Sequence, residues 1–362
     1  SSSAASDVYK RQLIFSFIEV FTKKNSSTSF LYWSSCFFLF ILSFLRWETG
    51  TDWNSYHNYF NHIFELPYNL DILESGFRVL NYIVRSFTDE YTIMLFILGA
   101  ILFSFQSLAI KRLSFFPILS LTFLYASQLA NILFVRQWIA VGILFYSIVF
   151  IKKNKFIPFL LLVLIASCMH RVSLIFIIVW WVFKMNISTR KIILFLCLSV
   201  IFSYFMESLL SSMLGGIENR VFKERLDVYL DSSYNSEEKN RTNFTLVLIK
   251  GFINRLSILF ISLYIYTKTK DNILRGYINI YWIGCILFFS LISISPALAR
   301  IAYYFDFIQI ILISYIVFSF RTLPNKIIAF GLLGIYMLFR LNQFLINTYN
   351  EEIVPYKFVN LF

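Results

Sequence analysis

The chain has 362 residues, of which 58% are hydrophobic and only 14% are charged, and its mean hydropathy is +0.70. This composition excludes an ordinary soluble domain, in which about 25% of residues are charged. The net charge of +12 does not indicate a nucleic-acid partner, because the Lys and Arg of a membrane protein mainly orient its loops. We predict an all-α polytopic membrane protein that is solvated by the lipid bilayer and binds no nucleic acid.

The predicted elements begin after a polar stretch. Residues 1–12 begin without Met, and we expect them to be a non-native leader outside the fold. Residues 13–347 are predicted to form a single transmembrane helical domain, followed by a C-terminal tail at 348–362. Apolar runs long enough to cross about 30 Å of hydrocarbon predict about 11–12 transmembrane helices. After the end of a first helix at 13–21, the predicted spans are 30–45, 92–110, 114–133, 136–151, 156–169, 171–184, 191–208, 244–266, 273–295, 300–320 and 325–347.

Basic residues fall on alternate short loops of this arrangement, and the positive-inside rule makes those loops cytoplasmic. One long helix over 156–183 would place the basic loop at 184–191 outside. Two short crossings keep that loop inside, so we predict a break at His170. The basic positions are Lys23, Lys24, Lys111, Arg112, Lys152, Lys153, Lys155, Lys184, Arg190, Lys191, Lys268, Lys270, Arg275, Arg321 and Lys326.

Two longer loops, at 46–90 and 209–243, are predicted on the external side. Loops of this length in a compact bundle are usually binding elements or lids. Scattered polar residues collect at the same face, and ionisable groups at membrane depth are costly enough to indicate a functional site. The candidate site residues are Arg46, Asp52, Tyr56, Glu74, Arg136, Gln137, His170, Arg300 and Tyr304.

These residue types suit a phosphate-linked sugar. The planar guanidinium of Arg matches phosphate bidentately and stays charged at any physiological pH. Asp, Glu and His exchange protons when burial tunes their pKa values, and aromatic rings suit the apolar faces of sugars. The set therefore suggests a saccharide that a lipid presents at the outer leaflet through phosphate.

Each candidate also has a plainer interpretation. Arg46 and Arg300 can be interfacial anchors at helix ends, and Glu74 with Arg78 can be an i,i+4 pair on a surface helix. Asp52 and Tyr56 can simply cap and pack a loop helix, and His170 can end an ordinary helix.

Metal and cofactor chemistry has no support in the sequence. Cys36, Cys168, Cys197 and Cys285 all lie in apolar segments without a metal-like spacing, which is typical of small core residues. No CxxC, HExxH, GxGxxG or GxxxxGK[ST] pattern occurs, so we expect neither a metal site nor a cofactor.

Five motifs resemble, in order, the pattern of one family. They are Arg46 with Gly50-Thr51-Asp52-Trp53 and Tyr56, then Glu74-Ser75-Gly76-Phe77, Arg136-Gln137-Trp138-Ile139-Ala140, Ala166 to Ser173 around His170, and Arg300-Ile301 with Tyr303-Tyr304-Phe305. The terminal Val354-Pro355-Tyr356 also fits. From residue 46 onward the chain resembles the EpsG family of Wzy-like bacterial polysaccharide polymerases, which make O-antigen, capsule or exopolysaccharide.

The resemblance implies an enzyme of the bacterial cytoplasmic membrane that acts at the outer face. Such an enzyme transfers a growing glycan from its undecaprenyl-diphosphate carrier to another lipid-linked repeat unit, and a chain-length regulator is an expected partner. We hypothesise that Arg136 and Arg300, together with Arg46, hold the diphosphate. Three residues, His170, Asp52 and Glu74, are candidates for the base that activates the attacking sugar hydroxyl.

Two other classes remain possible. A lipid-linked oligosaccharide flippase also needs cationic and aromatic groups, but along a path through the membrane, whereas these basic residues gather near one face. Another membrane-embedded glycosyl or acyl transferase is the closer alternative. Transferases that use a monosaccharide-lipid donor usually carry paired acids and a metal in the first loop, and Glu48 with Asp52 is a poor version of that pair.

Overall fold

The computed structural model describes residues 2–22, 26–50, 52–66, 73–128, 136–214, 244–293, 296–346, 357 and 359. The regular elements of this part of the chain are all helices, so the predicted all-α class is confirmed. They are α1 (Ser2–Phe21), α2 (Ser26–Phe44), α3 (Trp53–Asn61), α4 (Ser75–Phe87), α5 (Tyr91–Leu113), α6 (Pro117–Gln128), α7 (Arg136–Lys152), α8 (Phe156–Met169), a 3-10 helix (Arg171–Ile178), α9 (Val179–Val182), α10 (Thr189–Leu214), α11 (Phe244–Gly251), a π-helical turn (Phe252–Leu256), α12 (Ser257–Thr269), α13 (Asn272–Leu291), α14 (Pro296–Ala299), a 3-10 turn (Arg300–Ala302), α15 (Tyr303–Asp306), α16 (Gln309–Ser319) and α17 (Leu323–Ile346).

Within the described ranges, six helical segments are long and apolar enough to cross a membrane, which makes the chain a multi-pass membrane protein. They are Ser26–Phe44, Tyr91–Leu113, Leu248–Thr269, Asn272–Leu291, Arg300–Ser319 and Leu323–Gln343. Two shorter apolar helices, Phe156–Met169 and Arg171–Val182, match the predicted short crossings. Several predicted features lie outside the described residues: Lys23, Lys24, Thr51, most of the 209–243 loop and Val354-Pro355-Tyr356.

The sequence predicts one transmembrane domain over 13–347, and the packing divides the chain into two compact units. The first unit comprises residues 1–177 and 313–362, and the second comprises residues 178–312.

In the first unit α7 is the central helix. It packs against α5 and α8, and α2 packs against α5. The middle of α7 is apolar on every face, from Trp138 to Phe145, and these side chains are almost all buried. Along this stretch α7 is enclosed by the rest of the unit, and Arg136 is its first residue, partly exposed at the end of the helix.

Helix α1 begins at Ser2 and so includes most of the residues that the sequence predicts to lie outside the fold. The buried Tyr9 donates a hydrogen bond from its hydroxyl to the Gly334 carbonyl at 2.9 Å. Further along α1, Glu19 accepts hydrogen bonds from the backbone N–H groups of Ile118 and Leu119 at the start of α6. Through these contacts α1 packs against α6 and α17.

The two ends of α2 lie near different features of the first unit, a basic loop at one end and the candidate site at the other. At its start, the Lys111 ammonium donates to the Ser29 hydroxyl and lies over the Tyr32 ring. At its other end begins the segment that carries Arg46. A helix of 19 residues is about 28 Å long, close to the about 30 Å of a bilayer core. This separation agrees with the predicted placement of basic loops and candidate site on opposite sides.

The predicted break at His170 is confirmed. Helix α8 ends at Met169, and His170 adopts an extended backbone with φ −154° and ψ 110°. The chain resumes as a 3-10 helix at Arg171. The His170 carbonyl accepts the Ser173 N–H at 3.0 Å, which closes the first turn after the break.

In the second unit α13 is the central helix and packs against α10, α12 and the short elements from Pro296 to Asp306. Asp271 caps its first turn by accepting from the N–H groups of Ile273 and Leu274. Inside the unit, the Trp282 indole N–H donates to the Ile192 carbonyl at 3.1 Å. The predicted span 300–320 is present but irregular, because two short helices precede α16.

Candidate functional site

Glu74 is the residue around which the candidate site of the first unit is built. It stands at the N-terminus of α4 in an extended conformation and is buried. One carboxylate oxygen, Oε2, accepts from Arg136 Nη1 at 2.5 Å, and the other, Oε1, accepts from the Arg171 backbone N–H at 3.2 Å. Glu74 thus joins the external loop, the start of α7 and the break after α8.

Arg136 is held by groups on two helices, α3 and the start of α4. Besides Glu74, its Nε donates to the Tyr56 hydroxyl at 2.9 Å. The guanidinium also lies over the rings of Tyr56 and Phe77, at 5.5 and 5.9 Å from their centroids. A guanidinium has five N–H groups, and these two bonds leave three without a partner among the described residues. With its side chain 21% exposed, Arg136 can still bind an anion from solvent.

Gly76 explains why the motif around Glu74 contains a glycine. A Cβ at this position would lie 2.7 Å from both Cβ and the carbonyl oxygen of Cys168. The absence of a side chain therefore lets the first turn of α4 contact the last turn of α8. This close approach brings Glu74 within reach of the Arg171 N–H, so the Glu-Ser-Gly-Phe run and the turn around His170 fit together.

His170 lies beside this ion pair at the end of α8. Burial lowers the pKa of its imidazole, while the Glu74 carboxylate raises it and the Arg136 guanidinium lowers it further. Because the pKa falls below the usual 6.5, the ring is neutral at neutral pH. A neutral imidazole can accept a proton from a substrate hydroxyl.

Tyr56 is the aromatic member of the cluster. Burial raises the pKa of its hydroxyl above 10.0, although the neighbouring Arg136 lowers it. The phenol therefore stays protonated, and it can donate its own hydrogen while it accepts from Arg136. Its ring also packs edge-on against Phe77 at 5.5 Å between centroids.

Arg46 is placed differently from Arg136. It is buried, with 3% of the residue exposed, and its Nη1 donates to the Thr49 carbonyl at 3.1 Å. The residues on either side of it hydrogen-bond to the C-terminal tail: the Trp47 N–H donates to the Lys357 carbonyl and the Val359 N–H to the Leu45 carbonyl, both at 2.9 Å. Arg46 thus stabilises the segment that leads to Asp52.

Asp52 and Gln137 are the remaining candidates of the first unit. Asp52 is exposed and precedes α3, and its carbonyl accepts the Tyr56 N–H. Its carboxylate makes no hydrogen bond or ion pair with the described residues, but its charge raises the pKa of Tyr56. Gln137 follows Arg136 at the start of α7 and is partly exposed.

Arg300 and Tyr304 belong to the second unit. Arg300 is exposed in the 3-10 turn that begins the irregular span, whereas Tyr304 is buried. The predicted set therefore divides. One cluster in the first unit consists of Tyr56, Glu74, Arg136 and His170. It is flanked in the same unit by Arg46 and Asp52. The second unit contains Arg300 and Tyr304.

The sequence predictions missed a second buried ion pair. Arg255, in the π-helical turn, donates from Nε and Nη2 to one carboxylate oxygen of Asp306, both at 2.8 Å. Its guanidinium also lies 3.5 Å from the centroid of the Phe288 ring. Both residues are ionisable groups inside predicted spans, and such groups are expected to be functional, so the signal was present in the sequence.

The cluster in the first unit offers guanidinium N–H donors, a phenol and a neutral imidazole within one site. Such a set can bind an anionic group and take up a proton beside it. Among the described residues, no group of three His, Cys, Asp or Glu side chains could hold a metal ion.

Comparison with known proteins gives one result. The family model described as EpsG family matches residues 29–358, which is nearly the whole chain. No curated protein and no solved structure matches the chain.

Proposed function

Since the chain belongs to the EpsG family of Wzy-like polysaccharide polymerases, we propose that it polymerises lipid-linked repeat units at the outer face of the bacterial cytoplasmic membrane. The donor is a growing glycan on undecaprenyl diphosphate, and the acceptor is another lipid-linked oligosaccharide repeat unit. Family membership alone supports a membrane-bound polymerase of the glycosyltransferase type. We propose in addition the undecaprenyl-diphosphate carrier, the transfer of the glycan to a lipid-linked repeat unit and the location in the cytoplasmic membrane.

One observation carries the proposal: three separate segments place a guanidinium with uncommitted N–H groups beside a neutral imidazole. Arg136 and His170 both interact with Glu74. An anionic leaving group and a reacting hydroxyl therefore find their protein partners around the same carboxylate. A glycan transfer from a diphosphate needs both partners at the same place.

The reaction forms one bond and breaks one. A hydroxyl oxygen of the acceptor sugar bonds to the anomeric carbon of the donor, and the bond from that carbon to the diphosphate oxygen breaks. The hydroxyl proton passes to the base, and the electron pair leaves with undecaprenyl diphosphate. Arg136 stabilises the negative charge that develops on the leaving oxygen, the kind of preorganised stabilisation that gives large rate effects.

Of the three candidate bases, His170 has the strongest support. Both carboxylate oxygens of Glu74 already accept hydrogen bonds, from Arg136 and from the Arg171 N–H. Such a carboxylate orients its donors better than it takes up a proton. Asp52 is exposed at the edge of the cluster, where it can bind hydroxyls of the acceptor sugar. Tyr56 and Gln137 bind the sugar or the diphosphate.

Arg300 is the second cation of the proposal. It is exposed, and we propose that it binds an anionic group of the lipid-linked substrate. Tyr304 is buried and supports the turn that contains Arg300. Arg46, which the sequence suggests as a third phosphate ligand, donates instead to Thr49 and supports the Asp52 segment. A chain-length regulator remains a proposed partner.

An alanine series tests the assignment in cells whose own polymerase gene is deleted. His170→Ala should reduce the surface polymer to single repeats, and Asp52→Ala should shorten the glycan chains. Glu74→Ala should abolish polymer synthesis because Arg136 loses the carboxylate that holds it. Polymer length is measured on gels with the protein amount in membranes matched. Polymer of normal length and amount from His170→Ala would remove His170 from the role of base.

The same deletion strain separates a polymerase from a flippase. Without a polymerase, lipid-linked units still cross the membrane, and the surface carries single-repeat glycans. Without a flippase, surface glycan is lost altogether. An assay with purified protein and lipid-linked repeat units, without added metal, separates it from metal-dependent transferases.

A further inference from the structure

The second unit contains two irregular helical segments that meet at an ion pair. One is the π-helical turn Phe252–Leu256, inside the apolar segment Leu248–Thr269. The other runs from the 3-10 turn at Arg300 to the end of α15 at Asp306. Irregular backbone at membrane depth is tolerated only where it is buried in protein or lines a cavity, and π-helical turns occur frequently at functional sites.

The ion pair between these segments is nearly sealed from solvent. The side chain of Asp306 is 3% exposed and that of Arg255 is 14% exposed. Two guanidinium N–H groups converge on a single carboxylate oxygen, and the Phe288 ring covers the guanidinium. The Tyr281 hydroxyl donates to the Arg255 carbonyl at 3.2 Å, which fixes the π-helical turn to α13.

Gly284 on α13 makes room for the acidic partner. A Cβ at this position would lie 2.2 Å from Asp306 Oδ1 and 3.0 Å from the Asp306 backbone nitrogen. The end of α15 therefore lies directly against α13 at the point where α13 has no side chain. Asp306 is held by Arg255 on one side and by the surface of α13 on the other.

Asp306 is also the last residue of the short segment that begins with Arg300. Arg300 is exposed, while Ala302, Tyr304 and Phe305 between the two are buried. The charge at residue 300 is thus presented from a segment of two short helical turns, and such turns hold little structure without tertiary contacts. The segment packs on α13, and its last residue is bonded to Arg255.

We propose that Arg255 and Asp306 are a positioning pair, which fixes the Arg300–Asp306 segment so that Arg300 is presented for the anionic group of the lipid-linked substrate. The pair itself touches no substrate: its guanidinium is committed to Asp306 and covered by Phe288. This inference extends the role of Arg300 in the proposed function. The positioning of residue 300 by the ion pair does not depend on that function and can be tested separately.

The test measures the position of residue 300 and glycan synthesis separately. Arg300→Cys is made in the full chain after the exposed Cys168 and Cys197 are replaced by Ser. The rate of modification at residue 300 is then measured in membranes with a negatively charged methanethiosulfonate. Polymer synthesis is measured in parallel in the otherwise unaltered protein.

Three variants disturb the pair in different ways. Asp306→Asn removes one charge, and Gly284→Ala displaces Asp306 without changing any charge. The double variant Arg255→Met/Asp306→Leu removes both charges and puts apolar side chains in their place, an exchange that buried ion pairs often tolerate without loss of stability. Asp271→Asn is the matched control, because it removes a carboxylate from the same unit at the start of α13.

The proposal predicts that the double variant accumulates at the normal level while the modification rate at residue 300 changes about tenfold. Polymer synthesis in the double variant should fall about 100-fold, the cost of a misplaced binding group. Gly284→Ala should shift the rate in the same direction, and Asp271→Asn should leave it unchanged. An unchanged rate in a folded double variant, or in Gly284→Ala, would overturn the positioning role. A changed rate with normal polymer would support the positioning role and count against the role of Arg300 in the proposed function.

Discussion

Among the described residues, each unit of this protein has a buried pair of an arginine and a carboxylate, and the two pairs differ in how they are closed. In the first unit, Arg136 keeps N–H groups uncommitted and its side chain is 21% exposed. In the second unit, Arg255 is bound by Asp306 and covered by Phe288. The pairs share their construction, since each has a glycine that lets the acid-bearing segment approach a neighbouring helix. The pair of Arg136 and Glu74, which keeps uncommitted N–H donors, is suited to binding a ligand. The pair of Arg255 and Asp306, which is nearly sealed from solvent, is suited to holding two segments together.

The largest expected difference between the pairs is in stability. Removing one partner of a buried pair costs about 3–5 kcal/mol, so Asp306→Asn should reduce the amount of folded protein. Glu74→Gln should cost less, because Arg136 retains Tyr56, two aromatic rings and access to solvent. Thermal unfolding of the purified variants in detergent measures both. Equal stability losses would mean that the two pairs do not differ in the way we describe.

The glycine in the first unit gives the next largest effect. Gly76→Ala would force α4 away from Cys168, and overpacking of this kind costs about 1–3 kcal/mol. Because the displaced turn carries Glu74, polymer synthesis should fall more than protein level does. Gly331→Ala in α17 is the control, since a Cβ there meets nothing within 4 Å. Cys168→Ala should not rescue the variant, because the contacts involve the Cβ and backbone of Cys168. Rescue by that substitution would contradict the described packing.

The pH dependence tests His170 next. Burial lowers its pKa below 6.5, so the neutral imidazole persists as pH falls through that value. The decline of polymer synthesis in acid should therefore lie at lower pH than an ordinary imidazole would set it. The folded state favours the neutral imidazole of His170. The contribution of this preference to the free energy of unfolding is therefore lost as the pH falls through the lowered pKa.

A second variant shows the sign of this effect. The Glu74 carboxylate raises the pKa of His170, so Glu74→Gln should move the acid limb of the residual activity to still lower pH. Initial rates of polymer synthesis between pH 5 and 8, with buffers of matched ionic strength, measure the shift. A shift to higher pH would show that Glu74 does not act on the imidazole as we infer.

The smallest expected effect concerns the tail. The side chains of Lys357 and Glu48 form an ion pair and are 56% and 49% exposed, and exposed pairs contribute about 0–1 kcal/mol. Lys357→Ala should therefore leave both stability and polymer length nearly unchanged. Lys357→Pro, which removes the N–H that donates to the Thr49 hydroxyl, should be worse than alanine. Polymer length compared between the two variants decides whether backbone or side chain holds the segment around Arg46.

The sequence predicted the break at His170 from loop charge alone, because the break decides the sidedness of every later loop. It identified Glu74 and Arg136 as candidates without indicating that they pair, since they lie 62 positions apart and no local period links them. The burial of Arg46 was equally invisible, because it depends on backbone bonds to residues 357 and 359.

Arg255 and Asp306 are a different kind of omission. Each is an isolated charge within an apolar run, which is the signature that identified Arg136 as a candidate. Their pairing follows from the packing of two irregular spans on α13, and hydropathy alone does not predict where a membrane helix becomes irregular.

The most direct test of the account is the affinity of the purified protein, in lipid nanodiscs, for undecaprenyl diphosphate. Arg136→Lys keeps the charge but loses the fork that binds Tyr56 and Glu74 together, and removal of such a preorganised donor costs about 100–1000-fold in rate. We predict that Arg136→Lys binds undecaprenyl diphosphate at least about tenfold more weakly and forms no polymer from lipid-linked repeat units. Arg112→Lys, at the opposite end of the first unit, should behave like the unaltered protein. Normal affinity and normal polymer from Arg136→Lys would contradict the central claim that this arginine holds the diphosphate.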